Sequence, residues 1–155
     1  AKKTYSISLP TEDATAALAG SFAPLLQPGD CLLLEGSIGA GKTAFARSLI
    51  RARLDRNEDV PSPTFTLVQT YEHEDGDIWH CDLYRLTHPD EAFELGLDDA
   101  FSSAICLIEW PDRLGTDVPK NAALLSFSAN DVGHSLIASL PPEMDCRFAA
   151  VFTDA

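Results

Sequence analysis

One stretch of this sequence has residue types and spacing suited to binding phosphate. It reads Gly36-Ser37-Ile38-Gly39-Ala40-Gly41-Lys42-Thr43, which follows the Walker A pattern G-x-x-x-x-G-K-T. The glycines let the backbone turn successive N–H groups toward an anion. Lys42 is placed to reach the β- and γ-phosphates, and Thr43 offers a hydroxyl to Mg²⁺. The stretch therefore predicts a nucleotide-phosphate site.

The residues on either side predict the two elements that such a loop requires. The apolar run Cys31–Glu35 lies directly before the loop and is typical of a buried strand. Directly after it, apolar residues at helical spacing predict a helix over Lys42–Leu54, whose N-terminus would add partial positive charge at the loop. The alternative is a glycine-rich turn with a chance Lys-Thr pair. The order of strand, loop and helix favours the phosphate site.

Two carboxylates are candidates for work on the phosphates. The run 104–110 is the most apolar in the chain and predicts a central strand that ends in an acid, Glu109, as in a Walker B pattern. At the carboxyl end of a parallel strand, Glu109 can hold Mg²⁺ or orient the attacking water. The alternative is a solvated acid at a strand end. Asp82 lies in an apolar and aromatic strand, where burial requires a partner such as a cation near the loop. We interpret His80, in the same strand, as a packed histidine.

The rest of the chain predicts a single α/β domain over residues 1–155. We expect a P-loop fold, with a mixed, mostly parallel sheet of about seven strands flanked by helices. The proline-containing segment 61–65 is placed like a switch loop or is an ordinary proline loop. The remaining predicted strands are 5–9, 66–72, 78–85, 122–127 and 134–140, and the remaining helices are 12–26, 90–95 and 98–103. We expect 111–121 to be loop, and residues 141–155 give no clear pattern.

Composition limits the classes of partner. The 155 residues carry a formal net charge of −13, with 24 acidic against 11 basic residues, which opposes independent binding to a phosphate backbone. We therefore expect no DNA partner, and a second protein to hold any RNA. The sequence has no apolar run near the length that spans a membrane. Its four cysteines are widely spaced, which disfavours disulfides and zinc and fits a cytoplasmic protein.

Four motifs in fixed order resemble the TsaE (YjeE) family. They are the loop with its strand, then S-P-T-F-T-L-V from Ser62, H-C-D-L-Y-R-L from His80 and I-C-L-I-E-W-P from Ile105. The opening S-L-P-T-E-D-A-T from Ser8 is also similar. The resemblance extends to about Leu140. It implies a P-loop ATPase of bacterial tRNA threonylcarbamoyladenosine synthesis, which uses ATP and Mg²⁺ and works with TsaB and TsaD on adenosine 37. It implies that tRNA is contacted only through that complex.

The resemblance also implies roles for individual residues. Lys42 and Thr43 match the phosphate- and Mg²⁺-binding pair, while Asp82 and Glu109 match carboxylates near metal and water. Which of these two carboxylates orients water and which binds metal stays open. Trp110 matches a residue at the nucleotide or partner surface.

Other matches and departures concern the edges of the site. Thr64 and Thr66 match switch-like threonines of the family. Ser37 and Cys81 stand where the family usually has Asp and Phe, and His134 where Arg is frequent, so a basic contact to the nucleotide there is in doubt.

Two other functions stay open. A small-molecule kinase would need several arginines on a lid, and only four Lys or Arg residues follow position 60. A nucleotide-gated binding module would bind ATP with little hydrolysis.

The D-x-x-G match from Asp112 to Gly115 is typical of a GTPase switch, but no guanine-reading motif follows it, so we treat it as chance. No clear arginine finger is visible, Arg85 being a weak candidate, and we expect slow turnover of the chain alone.

Overall fold

The structure, a computed structural model, describes residues 2–37, 40–55, 59–61, 63, 66–131 and 133–153. Within these ranges the chain forms one seven-stranded mixed sheet with flanking helices, which confirms the predicted fold class. The strands are β1 (Lys3–Leu9), β2 (Cys31–Glu35), β3 (Val68–Tyr71), β4 (Ile78–Asp82), β5 (Ile105–Glu109), β6 (Ala123–Asn130) and β7 (Gly133–Leu140). The helices are α1 (Glu12–Phe22), α2 (Lys42–Leu54), α3 (Pro89–Glu94), α4 (Leu97–Ser103) and α5 (Pro142–Thr153). None of these helices is both long and apolar enough to cross a membrane.

The order of the strands places the phosphate loop at the middle of the sheet. The order is β1-β7-β6-β2-β5-β4-β3, and β6, β2, β5 and β4 pair in parallel. β7 and β3 pair antiparallel with their neighbours, so five of the seven strands run in one direction. The loop follows β2, and β4 and β5 end beside it. The carboxyl ends of these parallel strands therefore meet at one edge, where α/β sheets bind ligands.

The two faces of the sheet bury two separate apolar clusters. On β5, Ile105 and Leu107 belong to the cluster that also contains residues of α1, α2 and α5. Cys106 and Ile108 alternate with them and belong to the cluster that contains residues of α3 and α4. A strand buried on both faces must be apolar at successive positions, which explains the continuous run that the sequence shows there.

The structure differs from the predicted bounds or type of several segments. The chain leaves β4 at Asp82 instead of continuing as strand to position 85, and Leu83 N then donates to Glu109 O at 3.1 Å. The helix predicted over 12–26 ends at Phe22 and continues as a 3-10 turn, Ala23–Leu25, that contains a proline. Pro111–Asp117, expected as loop, forms 3-10 turns that meet at Gly115, with φ 59° and ψ −121°.

The C-terminal segment, which has no clear pattern in the sequence, forms a helix. Pro142 stands at the first position of α5, where a proline has no hydrogen bond to lose and its fixed φ suits a helix. Met144 and Phe148 of this helix are buried in the cluster beneath α1. Arg147 makes a bidentate ion pair with Asp30, at 2.8 Å for each bond, and so connects α5 to the turn before β2.

Candidate active site

The described part of the phosphate loop has a backbone that only glycine fits at its first position. Gly36 has φ +139°, and a Cβ added there would lie 2.4 Å from the carbonyl oxygen of Phe127 on β6. Ala40 is fully buried and donates its N–H to Ser37 O at 3.1 Å. Gly41 precedes α2 with φ 108°. The first residue of the loop thus lies against β6, and its last glycine directly precedes α2.

The ammonium of Lys42 lies inside this loop. Its Nζ donates to Gly36 O at 2.6 Å and lies 3.6 Å from the centroid of the Trp110 ring. Lys42 is only 5% exposed, and burial lowers the pKa of its ammonium. The carboxylates whose charges act against that shift belong to Glu109, Asp82 and Asp112. The charges of these carboxylates favour the protonated ammonium, which is the form that can bind a phosphate.

The two candidate carboxylates lie side by side. Asp82 and Glu109 are register partners at the ends of the parallel strands β4 and β5, so their side chains project from the same face. They are 6% and 2% exposed, respectively. Glu109 Oε1 accepts a hydrogen bond from Thr43 Oγ1 at 2.8 Å, and Asp82 Oδ1 accepts one from Tyr84 N at 3.1 Å. The first turn of α2 therefore meets the acids at the sheet edge.

His80 belongs to this cluster, which the sequence did not reveal. Its Nε2 lies 2.7 Å from Glu109 Oε2, and its ring is fully buried. The interpretation as a packed histidine describes its burial but not this bond. The signal that was available was its place two residues before Asp82, because positions i and i+2 of a strand share a face.

The Trp110 ring, which lies against Lys42, belongs to an aromatic pair. Trp110 follows β5 with φ 60° and ψ 53°, a left-handed conformation that is uncommon for a residue with a side chain. Its ring packs on that of Tyr84, with centroids 4.9 Å apart. Tyr84 is 44% exposed, and the Arg113 guanidinium lies 5.7 Å from its ring. The ring of Trp110 is thus adjacent to the loop lysine.

The structure brings together most of the predicted site. Ile38, Gly39 and Thr64 fall outside the described residues, so their predicted roles have no structural description. Thr66 accepts a hydrogen bond from Gln69 Nε2 at 3.2 Å. Arg85, the weak candidate for an arginine finger, is exposed. His134 lies near the loop, with its ring 4.0 Å from where a Cβ of Gly41 would be.

The donor set suits Mg²⁺ bound together with phosphates. Among the described residues, no group of three His, Cys, Asp or Glu side chains is arranged to hold a metal ion by itself. Mg²⁺ prefers oxygen ligands and is usually held by one or two carboxylates plus substrate phosphates and water. The Thr43 hydroxyl bonded to Glu109, with Asp82 beside it, is a set of this kind. The arrangement can bind a phosphate chain, hold Mg²⁺ on it and orient a water molecule.

Comparison with known proteins agrees with this geometry. The family model described as "Threonylcarbamoyl adenosine biosynthesis protein TsaE" matches residues 9–135. A protein of Rickettsia bellii named tRNA threonylcarbamoyladenosine biosynthesis protein TsaE is 45% identical over 104 residues, 67% of this chain and 72% of that protein. Proteins of the same name from Rickettsia conorii and Bacillus subtilis are 44% and 38% identical, each over 68% of this chain, and the matches span 60% and 66% of their lengths.

A solved structure shares the fold. The crystal structure of YdiB from Bacillus subtilis superposes with a TM-score of 0.77 at 25% sequence identity, covering 97% of this chain and 94% of the other. The family match spans far more than half of the sequence and includes every element that forms the site. This chain therefore belongs to the TsaE family and has the role of that family in tRNA threonylcarbamoyladenosine biosynthesis.

Proposed function

We propose that the chain is a Mg²⁺-dependent ATPase that supports threonylcarbamoyladenosine synthesis at adenosine 37 of tRNA, together with proteins of the TsaB and TsaD families. One observation carries the ATPase assignment. The hydroxyl of Thr43, the residue after the loop lysine, is bonded to the buried strand-end carboxylate of Glu109 at 2.8 Å. This bond joins the predicted Walker A and Walker B elements at one point, where a phosphate-bound Mg²⁺ needs oxygen ligands.

The proposed reaction depends on positioning and charge. Lys42 and the N–H groups of the loop bind the phosphates of ATP, which is the substrate. Thr43 and one of the two carboxylates would hold Mg²⁺, which supplies positive charge that neutralises the phosphates. The other carboxylate, Asp82 or Glu109, accepts a hydrogen bond from water and so aims a lone pair at the γ-phosphorus. Hydrolysis then gives ADP and phosphate without a covalent enzyme intermediate.

The charge of the chain supports an indirect role on tRNA. A net charge of −13 opposes binding to a phosphate backbone, so we expect the partner proteins to hold the tRNA. The chain would then reset or drive the complex by its ATP cycle rather than modify the RNA. Turnover would be slow with the chain alone and faster with TsaB and TsaD.

The test is Mg²⁺-dependent ATP hydrolysis with and without TsaB and TsaD family proteins from the same organism. Lys42→Ala and Glu109→Gln should each lower the stimulated rate by about 100-fold or more, because Lys42 stabilises negative charge in the transition state and Glu109 would hold Mg²⁺ or orient the water. Glu35→Gln is a matched control. Glu35 also ends a central strand, β2, but it is exposed and bonds to Ser126 on β6 instead of to Thr43.

Three outcomes would contradict the proposal. Full activity of either site variant would remove the site assignment. Transfer of the γ-phosphate to a nucleoside or sugar would favour a kinase. ATP-dependent docking on the partners, with the ATP pool unchanged, would favour a nucleotide-gated binding module.

A further inference from the structure

A fully buried histidine occupies a position that apolar packing would fill. β4 presents Ile78, His80 and Asp82 to the face of the sheet that α2 covers. Ile78 belongs to the apolar cluster on that face, and so does Leu107, the register partner of His80 on β5. Leucine, isoleucine or valine would suit this position by size and polarity. The imidazole therefore needs another physical reason to be there.

Burial of this ring leaves one of its nitrogens unsatisfied. His80 Nδ1 is buried and has no hydrogen-bond partner among the described residues. A buried polar atom without a partner destabilises the fold, whichever proton state the ring adopts. Proteins tolerate such a loss of stability mostly at functional sites. The other nitrogen, Nε2, bonds to Glu109, so Glu109 is the group that His80 would hold in place.

His80 and Thr43 hold the two oxygens of one carboxylate. Thr43 Oγ1, from the first turn of α2, donates to Glu109 Oε1 at 2.8 Å. His80 Nε2, from the neighbouring strand, lies 2.7 Å from Glu109 Oε2. A carboxylate bonded at both oxygens from two different elements cannot rotate about its last torsion without breaking a bond. Its plane is therefore fixed relative to the phosphate loop.

We propose that His80 is a positioning residue for the ATPase site. Its Nε2–H donates to Glu109 Oε2 and directs Oε1 toward Thr43, where the nucleotide phosphates and Mg²⁺ would bind. This inference rests on the proposed ATPase function. It assigns His80 no contact with substrate, and its effect passes through Glu109. Partners that orient a metal-site carboxylate in this way typically change metal affinity or activity by about 10–100-fold when they are removed.

Two substitutions separate positioning from packing. His80→Leu keeps an apolar side chain of similar bulk and removes the donor, and we expect kcat in the stimulated assay to fall about 10–100-fold. The KM for ATP should stay within about threefold, because Lys42 and the loop are unchanged. His80→Gln places an amide N–H at a similar distance from the backbone and should restore kcat to within about fivefold of wild type. Ile78→Val, on the same face of the same strand, controls for small losses of packing.

A second measurement needs no nucleotide. Long-range ¹⁵N correlation spectra of the imidazole rings report which ring nitrogen carries the proton, and His80→Gln identifies the His80 signals among the four histidines. We expect His80 Nε2 to be protonated, and its resonance to move in Glu109→Gln. Both results are expected with the isolated chain, and adding partner proteins should not change them.

The outcomes distinguish this inference from the proposed function. A proton on Nδ1 with none on Nε2 would overturn the inference, because Nε2 could not then donate. It would also be overturned if His80→Leu lost no more kcat than Ile78→Val, or if folded His80→Gln were as inactive as His80→Leu. If the wild-type chain with TsaB and TsaD neither binds nor hydrolyses Mg·ATP, the proposed function itself is wrong, and the inference falls with it.

Discussion

Substitution of Gly36 by alanine adds one methyl group where the phosphate loop touches the sheet. Gly36 has φ +139°, and the new Cβ would lie 2.4 Å from the carbonyl oxygen of Phe127. Real Cβ atoms essentially never lie closer than 3.0 Å to such a neighbour, so this contact is about 0.6 Å too short. The obstructing atom is backbone of β6, which pairs in parallel with β2, so neither side can yield without disturbing the sheet.

The expected loss of stability follows from two terms. A residue with a side chain held at such a φ costs roughly 1–3 kcal/mol, and forced overpacking costs a further 1–3 kcal/mol or so. We therefore expect the free energy of unfolding of Gly36→Ala to fall by about 2–6 kcal/mol. With a urea dependence of about 2 kcal/mol per molar, the unfolding midpoint should fall by about 1–3 M. Binding of ATP should also weaken, because Gly36 O is the acceptor for Lys42 Nζ.

Urea unfolding followed by tryptophan fluorescence measures this loss, and two other glycines provide controls. Gly115 has φ +59° with nothing within 4 Å of an added Cβ, so Gly115→Ala should show the backbone strain without the clash. Gly20 lies inside α1 with equally open space, and Gly20→Ala should stabilise the chain by about 0.5–1 kcal/mol. The reasoning would be refuted if Gly36→Ala were within about 0.5 kcal/mol of wild type, or no less stable than Gly115→Ala.

Three other features give predictions for the purified chain. Arg147→Met breaks both 2.8 Å bonds to Asp30, and the partly buried carboxylate left behind should lower the free energy of unfolding by about 2 kcal/mol; an unchanged urea midpoint would contradict this. With Trp79 replaced by Phe, the emission of Trp110 should change when ATP is added, because the loop lysine leaves its ring for the phosphates; constant emission at saturating ATP would contradict this. Cys146 is the exposed cysteine, and burial raises the pKa of the other three thiols, so a thiol reagent should modify one thiol rapidly in the native chain and four in urea.

The elements next to the loop were predictable because their signals are local. Glycine spacing, a continuous apolar run and helical periodicity gave β2 and α2 with the bounds that the structure has, Cys31–Glu35 and Lys42–Leu54. The N-cap of α1 is equally local, because Thr11 Oγ1 accepts a hydrogen bond from Ala14 N at 3.1 Å. Each of these features depends on residues within a few positions of one another.

The features that were missed depend on distant parts of the chain. The bond between His80 and Glu109 joins residues 29 positions apart and requires the parallel register of β4 with β5, which no local pattern encodes. In α5, the helix is stabilised by packing Phe148 beneath Phe22, with ring centroids 4.8 Å apart. Residues 141–155 show no clear pattern in the sequence, although Pro142 suits the first turn of a helix.

The most direct test of the central claim measures threonylcarbamoyladenosine in tRNA from bacterial cells that lack their own TsaE family protein and express this chain together with TsaB and TsaD family proteins of the same organism. The account predicts that the wild-type chain and Glu35→Gln restore the modified nucleoside, as quantified by mass spectrometry of tRNA digests. Glu109→Gln, present at the same cellular level, should leave it near the level of the deficient cells. Full restoration by Glu109→Gln would contradict the claim that ATP turnover at this carboxylate is how the chain contributes to the modification.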